Sequence, residues 1–93
     1  MHDWILVSIS LEWHDSTVIV KLLDHTSTLR EIVARGVRQI SVSHEESWGP
    51  SVSVLGYQCS ADAGASRLKI EMQSGDRVDI QADSIDMPES AEL

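Results

Sequence analysis

Phenylalanine is absent from this chain, tyrosine and cysteine each occur once, proline occurs twice, and seven basic residues face fifteen acidic ones. Each scarcity narrows the possibilities. Without Phe, the three tryptophans, Trp4, Trp13 and Trp48, must supply most of the aromatic bulk of any core, so each is expected to be at least half buried. Cys59 has no intrachain partner, whereas a domain this small from an oxidising compartment commonly carries several disulfides; a reducing cytoplasm is the expected location. Met1-His2-Asp3-Trp4 lacks the basic start of a secretory signal, and no stretch approaches the roughly 20 apolar residues that span a bilayer. The formal charge of −8 opposes phosphate backbones and anionic lipid. Nucleic acid and membrane are therefore not expected partners, and Arg30, Arg35 and Arg38, the one basic cluster, have no aromatic residue beside them. Their expected role is to pair with acids.

Ninety-three residues suffice for one core and not for two. With 42% apolar and 24% charged residues, the composition is that of a globular chain rather than a disordered one. A single β domain over residues 1–87 is expected, followed by a frayed acidic tail over 88–93.

The periodicity is that of strands. Ile5, Val7, Ile9, Leu11 and Trp13 alternate with Ser8, Ser10 and Glu12, and Val18, Val20 and Leu22 alternate with Ile19, Lys21 and Leu23. Setting Leu11 opposite Val18, Ile9 opposite Val20 and Val7 opposite Leu22 requires an even loop: His14-Asp15, or those two with one flanking residue on each side. Extending that register places Trp4 opposite His25 and His2 near Ser27. Thr28 to His44 has two readings. Thr28-Leu29-Arg30-Glu31 matches a capping box with Gly36 as a helix end, but Ile32 and Val33 are β-branched, and the strand reading, with Gly36 as a bulge, is preferred. Ser51 to Gln58 reads as strand and Cys59 to Ser66 as loop. Leu68, Ile70 and Met72 form one side of a last hairpin, Val78, Ile80 and Ala82 the other. Pairing Met72 with Val78 and Ile70 with Ile80 requires the three-residue loop Ser74-Gly75-Asp76, with Asp76 in the left-handed position. The tally is six or seven strands and at most one short helix: an all-β fold, a small antiparallel sandwich or open barrel.

Few residues suggest chemistry. Cys59 has no basic neighbour, no Gly-x-Ser-x-Gly elbow is present, and no glycine-rich loop could cradle a phosphate, so no enzyme and no cofactor are expected. Glu71 and Asp79 make an acid–base pair only on the polar face of a hairpin. Each histidine lies beside or one residue from a carboxylate, and the first hairpin's register gathers His2, Asp3, Asp24 and His25 at one end. Nitrogen and carboxylate ligands there suit a transition metal, although exposed His-Asp neighbours are also what polar strand ends carry in so acidic a chain. The central stretch Glu45-Glu46-Ser47-Trp48-Gly49-Pro50-Ser51 is read as the crossing between two layers, with Trp48 as the plug and Trp48→Ala costing about 3–5 kcal/mol. With Trp48 outside instead, Trp48, Gly49, Pro50 and Ser51 become the candidate binding surface.

The loop Trp48-Gly49-Pro50-Ser51 and the hairpin Glu71-Met72-Gln73-Ser74-Gly75-Asp76 resemble the W-G-x-S loop and E-M-Q-S-G-D hairpin of small bacterial all-β proteins, some of which are similar to immunity proteins of toxin systems. The resemblance spans about the second half of the chain and implies a partner-binding role without catalytic residues. The expected function is thus protein–protein contact, with a toxin or with a second copy of the chain. A ligand or metal module at the His2/His25 end is the alternative.

Overall fold

The alternating segments form six strands: β1 (Ile5–Glu12), β2 (Thr17–Leu23), β3 (Leu29–Val42), β4 (Val54–Asp62), β5 (Ala65–Met72) and β6 (Arg77–Asp86). This computed structural model describes residues 1–46, 48–62 (at Asp62 the backbone only) and 64–88. Beyond Pro88, the tail expected over 88–93 lies outside the described residues. All neighbouring strands are antiparallel, in the order β1-β2-β3-β6-β5-β4. The all-β architecture is as expected, realised as one open sheet rather than two stacked ones. No helix is present among the described residues, so none is long and apolar enough to cross a membrane.

The sheet curls until its two edges touch at one end. Ile5 bridges Ser53, Leu6 N–H donates to the Val52 carbonyl at 2.9 Å, and Val54 N–H donates to the Trp4 carbonyl at 2.8 Å. Inside lie Val18, Val20 and Leu22 of β2, Ile32 and Ala34 of β3, Leu68, Ile70 and Met72 of β5, and Val78, Ile80 and Ala82 of β6, with Trp4 and Val54 at the seam. These are mostly β-branched or long aliphatic residues at every second position, so each strand turns one apolar face inward and the other to water.

The first hairpin keeps the expected pairs Leu11 with Val18 and Ile9 with Val20, around the four-residue loop Trp13 to Ser16. Val7 departs from expectation. A bulge between Leu6 and Ser8 pairs Leu6, not Val7, with Leu22 and Ile5 with Leu23, so His25 is not opposite Trp4. One extra residue reverses side-chain parity, leaving Ile5 and Val7 outside while Leu6 and Ile9 pack against the core. The alternation in β1 is real, but it does not mark one buried face.

Residues 29–42 form one continuous strand, and Gly36 carries its irregularity with φ +66°. Thr17 pairs with Arg35, and the Val37 N–H then reaches the Ser16 carbonyl at 2.8 Å, passing over Gly36. On the other side a second shift, between Val37 and Gln39, adjusts the pairing with β6. A Cβ at Gly36 would stand 2.3 Å from Asp83 Oδ2, and Asp83 Oδ1 accepts from both Arg38 Nε (3.0 Å) and Nη2 (2.6 Å). Gly36→Ala is therefore expected to cost about 1–2 kcal/mol from the left-handed backbone, in addition to displacing Asp83 from Arg38. Urea melts of the double-mutant cycle with Asp83→Ala check this: the alanine at position 36 should cost less once Asp83 is shortened.

The second half needs two corrections. Cys59 to Ser66 is strand and turn rather than loop: β4 runs to Asp62 and β5 begins at Ala65, with Cys59 opposite Leu68. The small residues Cys59 to Ala61 show no burial pattern because β4 is an exposed sheet edge, where backbone pairing alone makes the strand. In the last hairpin the three-residue parity holds but the register is displaced, with Ile70 opposite Val78 and Leu68 opposite Ile80. The loop is Gln73-Ser74-Gly75, closed by Met72 N–H to the Asp76 carbonyl at 2.8 Å, and Gly75 (φ +93°), not Asp76, takes the left-handed position. Glycine does so at no steric cost. The displacement also sets Lys69 opposite Asp79 and Glu71 opposite Arg77, so opposite charges face each other on the outer surface.

Candidate functional site

β3 and β4 are separated in the sheet by β6 and β5, so the connection between them must cross the end of the β5–β6 hairpin. It does so in close register with that hairpin's turn. Ser43 N–H donates to the Arg77 carbonyl (2.9 Å) and Ser43 Oγ accepts from Arg77 N–H (3.0 Å). Trp48 N–H reaches the Ser74 carbonyl (2.9 Å), and Gln73 N–H the Ser53 carbonyl (2.8 Å). Between these bonds sits Asp76, 2% exposed: Oδ1 accepts from Glu45 N–H at 2.6 Å, and Oδ2 from Glu46 N–H at 3.0 Å and Ser74 Oγ at 2.8 Å. Burial pushes this carboxyl upward, but hydrogen bonds from the Glu45 N–H, the Ser74 and Ser51 side chains and the Glu46 N–H outweigh it and hold the group at about 2. Asp76 is thus an ionised buried clamp.

What the clamp presents is Trp48, 82% exposed. The plug expected between two layers does not exist, because there is one sheet and its seam is filled by Trp4 and Met1. Of the candidate binding residues, Trp48 and Pro50 stand outward, the position a Cβ would take at Gly49 meets nothing within 4 Å, and Ser51 turns back, its N–H 3.3 Å from Glu46 Oε1. An indole on a backbone fixed at Glu45, Glu46 and Trp48 offers a large apolar surface with little backbone entropy left to lose on binding. Trp13, in the β1–β2 loop, is likewise exposed at 85%. It lines a groove of about 480 Å³ with Leu11, Val37 and Ile40.

Sequence reasoning missed Asp76, yet a signal was there. Met72, Ser74, Asp76 and Val78 are buried in unbroken alternation, so the strand's period continues through the turn and puts Asp76 on the inner side. A polar residue in phase with core positions marks an inward-facing hydrogen-bond acceptor.

The four candidate metal ligands do not assemble. His2 Nδ1–H donates to the Leu55 carbonyl at 2.7 Å, and its Nε2 lies 3.5 Å from Asp3. Asp24 organises the β2–β3 turn instead: Oδ1 accepts from Thr26 N–H (2.8 Å), Thr26 Oγ (2.6 Å) and Thr28 N–H (3.0 Å), while Oδ2 takes Arg30 Nε at 2.9 Å. The Thr26 hydroxyl is the largest influence, and with Thr28 and Arg30 it holds Asp24 well below the usual carboxylate range despite burial. His25 is exposed in that turn. Among the described residues, no three His, Cys, Asp or Glu side chains converge on a point that could hold an ion.

Comparison of the chain with known protein families, with curated proteins and with solved structures finds no match. The residues must therefore be judged on their own chemistry. Asp79 is bound by Arg67 through Nε (3.1 Å) and Nη2 (2.9 Å), which holds it below the usual range, and Glu71 faces Arg77. Both carboxylates of the imagined acid–base pair are thus committed to arginines or face one. Arg35 pairs with Asp86 and Arg38 with Asp83, as expected of that basic cluster. Partial burial pushes the Cys59 thiol up, away from the reactive thiolate.

Proposed function

We propose that this chain is a noncatalytic binding module that engages another protein through the Trp48 loop. One observation carries this: a buried, ionised aspartate is committed to fixing the backbone of Glu45 and Glu46, just ahead of a tryptophan that is 82% exposed. A buried charge is costly unless fully hydrogen-bonded, and a rigid exposed indole is the side chain most often found at the centre of a binding hot spot. The charge of −8 favours a basic partner and speeds encounter with it. A toxin neutralised by an immunity-like domain is the specific form suggested by the W-G-x-S loop and the hairpin that clamps it.

The test compares wild type, Trp48→Ala and Trp13→Ala as immobilised baits, then in titrations with whatever basic protein the wild type retains. Trp48→Ala should leave stability within about 1 kcal/mol of wild type, since it removes no buried contact. It should weaken binding by at least about thirtyfold. Retention of the same protein with unchanged affinity by Trp48→Ala would overturn the proposal.

A further inference from the structure

Strand β1 has an open edge. From Ser8 to Glu12 it pairs only with β2, and the seam with residues 52–54 ends at Leu6. Ile5, Val7, Leu11 and Trp13, on this strand and its turn, are large apolar side chains exposed at 39, 52, 44 and 85%. Soluble proteins usually protect such an edge with lysine, proline or an inward charge, but the run Trp4–Leu11 contains no charged residue and no proline. The bulge at Val7 ends before Ser8, so the regular part of the strand, Ser8-Ile9-Ser10-Leu11-Glu12, is the part left open.

That segment is complementary to itself. Placed antiparallel to a second copy about a twofold axis at Ser10, it sets Ser10 against Ser10, Ile9 against Leu11 and Ser8 against Glu12. Apolar residues meet apolar ones, each carboxylate meets a hydroxyl, and no like charges oppose. A twofold centred one residue earlier would place Leu6 against Glu12 and run into the bulge. Electrostatics selects the same surface. A chain of charge −8 repels its copy over most approaches, and a neutral strand edge is where the approach costs least. The other open edge, Gly56 to Asp62 of β4, has no comparable row of exposed apolar residues.

We infer that two copies of the chain join through antiparallel β1–β1 pairing across a twofold axis at Ser10, extending one sheet into the next. This surface is separate in sequence from the Trp48 loop, so either can fail without the other. Sedimentation over a concentration series up to about 1 mM should show a monomer–dimer equilibrium that strengthens with added salt. Ser10 is exposed, so its substitution leaves the core intact. Ser10→Lys and Ser10→Glu should each weaken dimerisation by at least about tenfold, because each sets like charges face to face. An equimolar mixture of the two should recover it as a heterodimer, which a merely misfolded variant could not do. In a Cys59→Ser background, Ser10→Cys should form an intermolecular disulfide under mild oxidation, since cross-strand Cα distances of about 4.5–5.5 Å permit the bond. A wild type that stays monomeric throughout overturns the inference. So does a dimer that survives Ser10→Lys, or one that is lost instead on Gln58→Lys at the β4 edge.

Discussion

Trp4→Ala is expected to lower the unfolding free energy by about 3–5 kcal/mol in urea melts, the largest loss among the tryptophans. Trp4 is 1% exposed and lies in the core beside the seam. Its backbone bonds to Met1 (3.0 Å) and Val54 (2.8 Å) need no side chain, so what alanine removes is packing. The cavity would open where the sheet has the least support, because β1 meets residues 52–54 only over a few residues. Trp48→Ala, losing the same group from an 82% exposed position, should move the midpoint little. A Trp4→Ala loss below about 1 kcal/mol would mean that the seam closes without the indole.

The second large effect belongs to Asp76. Asp76→Ala leaves the Glu45 and Glu46 N–H groups and the Ser74 hydroxyl without their acceptor, and a drop in Tm of roughly 10–15 °C is expected from several lost buried bonds in a chain of this size. The same residue shapes the acid response. Its carboxyl is held down at about 2 in the fold, below the ordinary aspartate value of 3.8, so between these values the unfolded chain binds the proton and the folded chain does not. The stability it contributes is present above about pH 4 and is lost as pH falls toward 2. Asp24, also lowered, adds to the decline in the same direction. Thermal melts from pH 6 to 2 should show Asp76→Asn with a shallower fall than wild type; parallel curves would show that the carboxylate is not the clamp.

How much of this was legible depended on whether the side chains declare which face is buried. Val18, Val20 and Leu22, and likewise Leu68, Ile70 and Met72, are core residues read directly from their alternation. The strand reading of Thr28 to His44 follows from β-branching at Ile32 and Val33, and β3 bears it out over Leu29–Val42 with Gly36 as its irregularity. Where the reading failed, an extra residue or an exposed edge had removed the signal. A single bulged residue at Val7 exchanged the inner and outer faces of β1, which no pattern of apolar residues can reveal because both parities there are apolar. Scarcity of aromatics favours a buried Trp48 over an exposed one, but scarcity does not determine location. Asp76 is the more instructive omission: it stands in phase with Met72 and Val78, but a lone acid in a turn looks solvated unless the strand's period is carried through that turn.

The strand order has a consequence for how the chain finds its structure. Strands β1, β2 and β3 form one meander and β4, β5 and β6 another, each made entirely of neighbours in sequence, and the two are joined chiefly along β3 and β6. That junction brings Val33 to Asp86 and Val42 to Val78, across stretches of chain that must already be ordered before the pairing is favourable. Each meander is built from local contacts, and docking the two along β3 and β6 is the non-local step with the largest loop-closure cost. Completing it requires the crossing segment to settle over the hairpin turn, which places the bonds to Asp76 late in assembly.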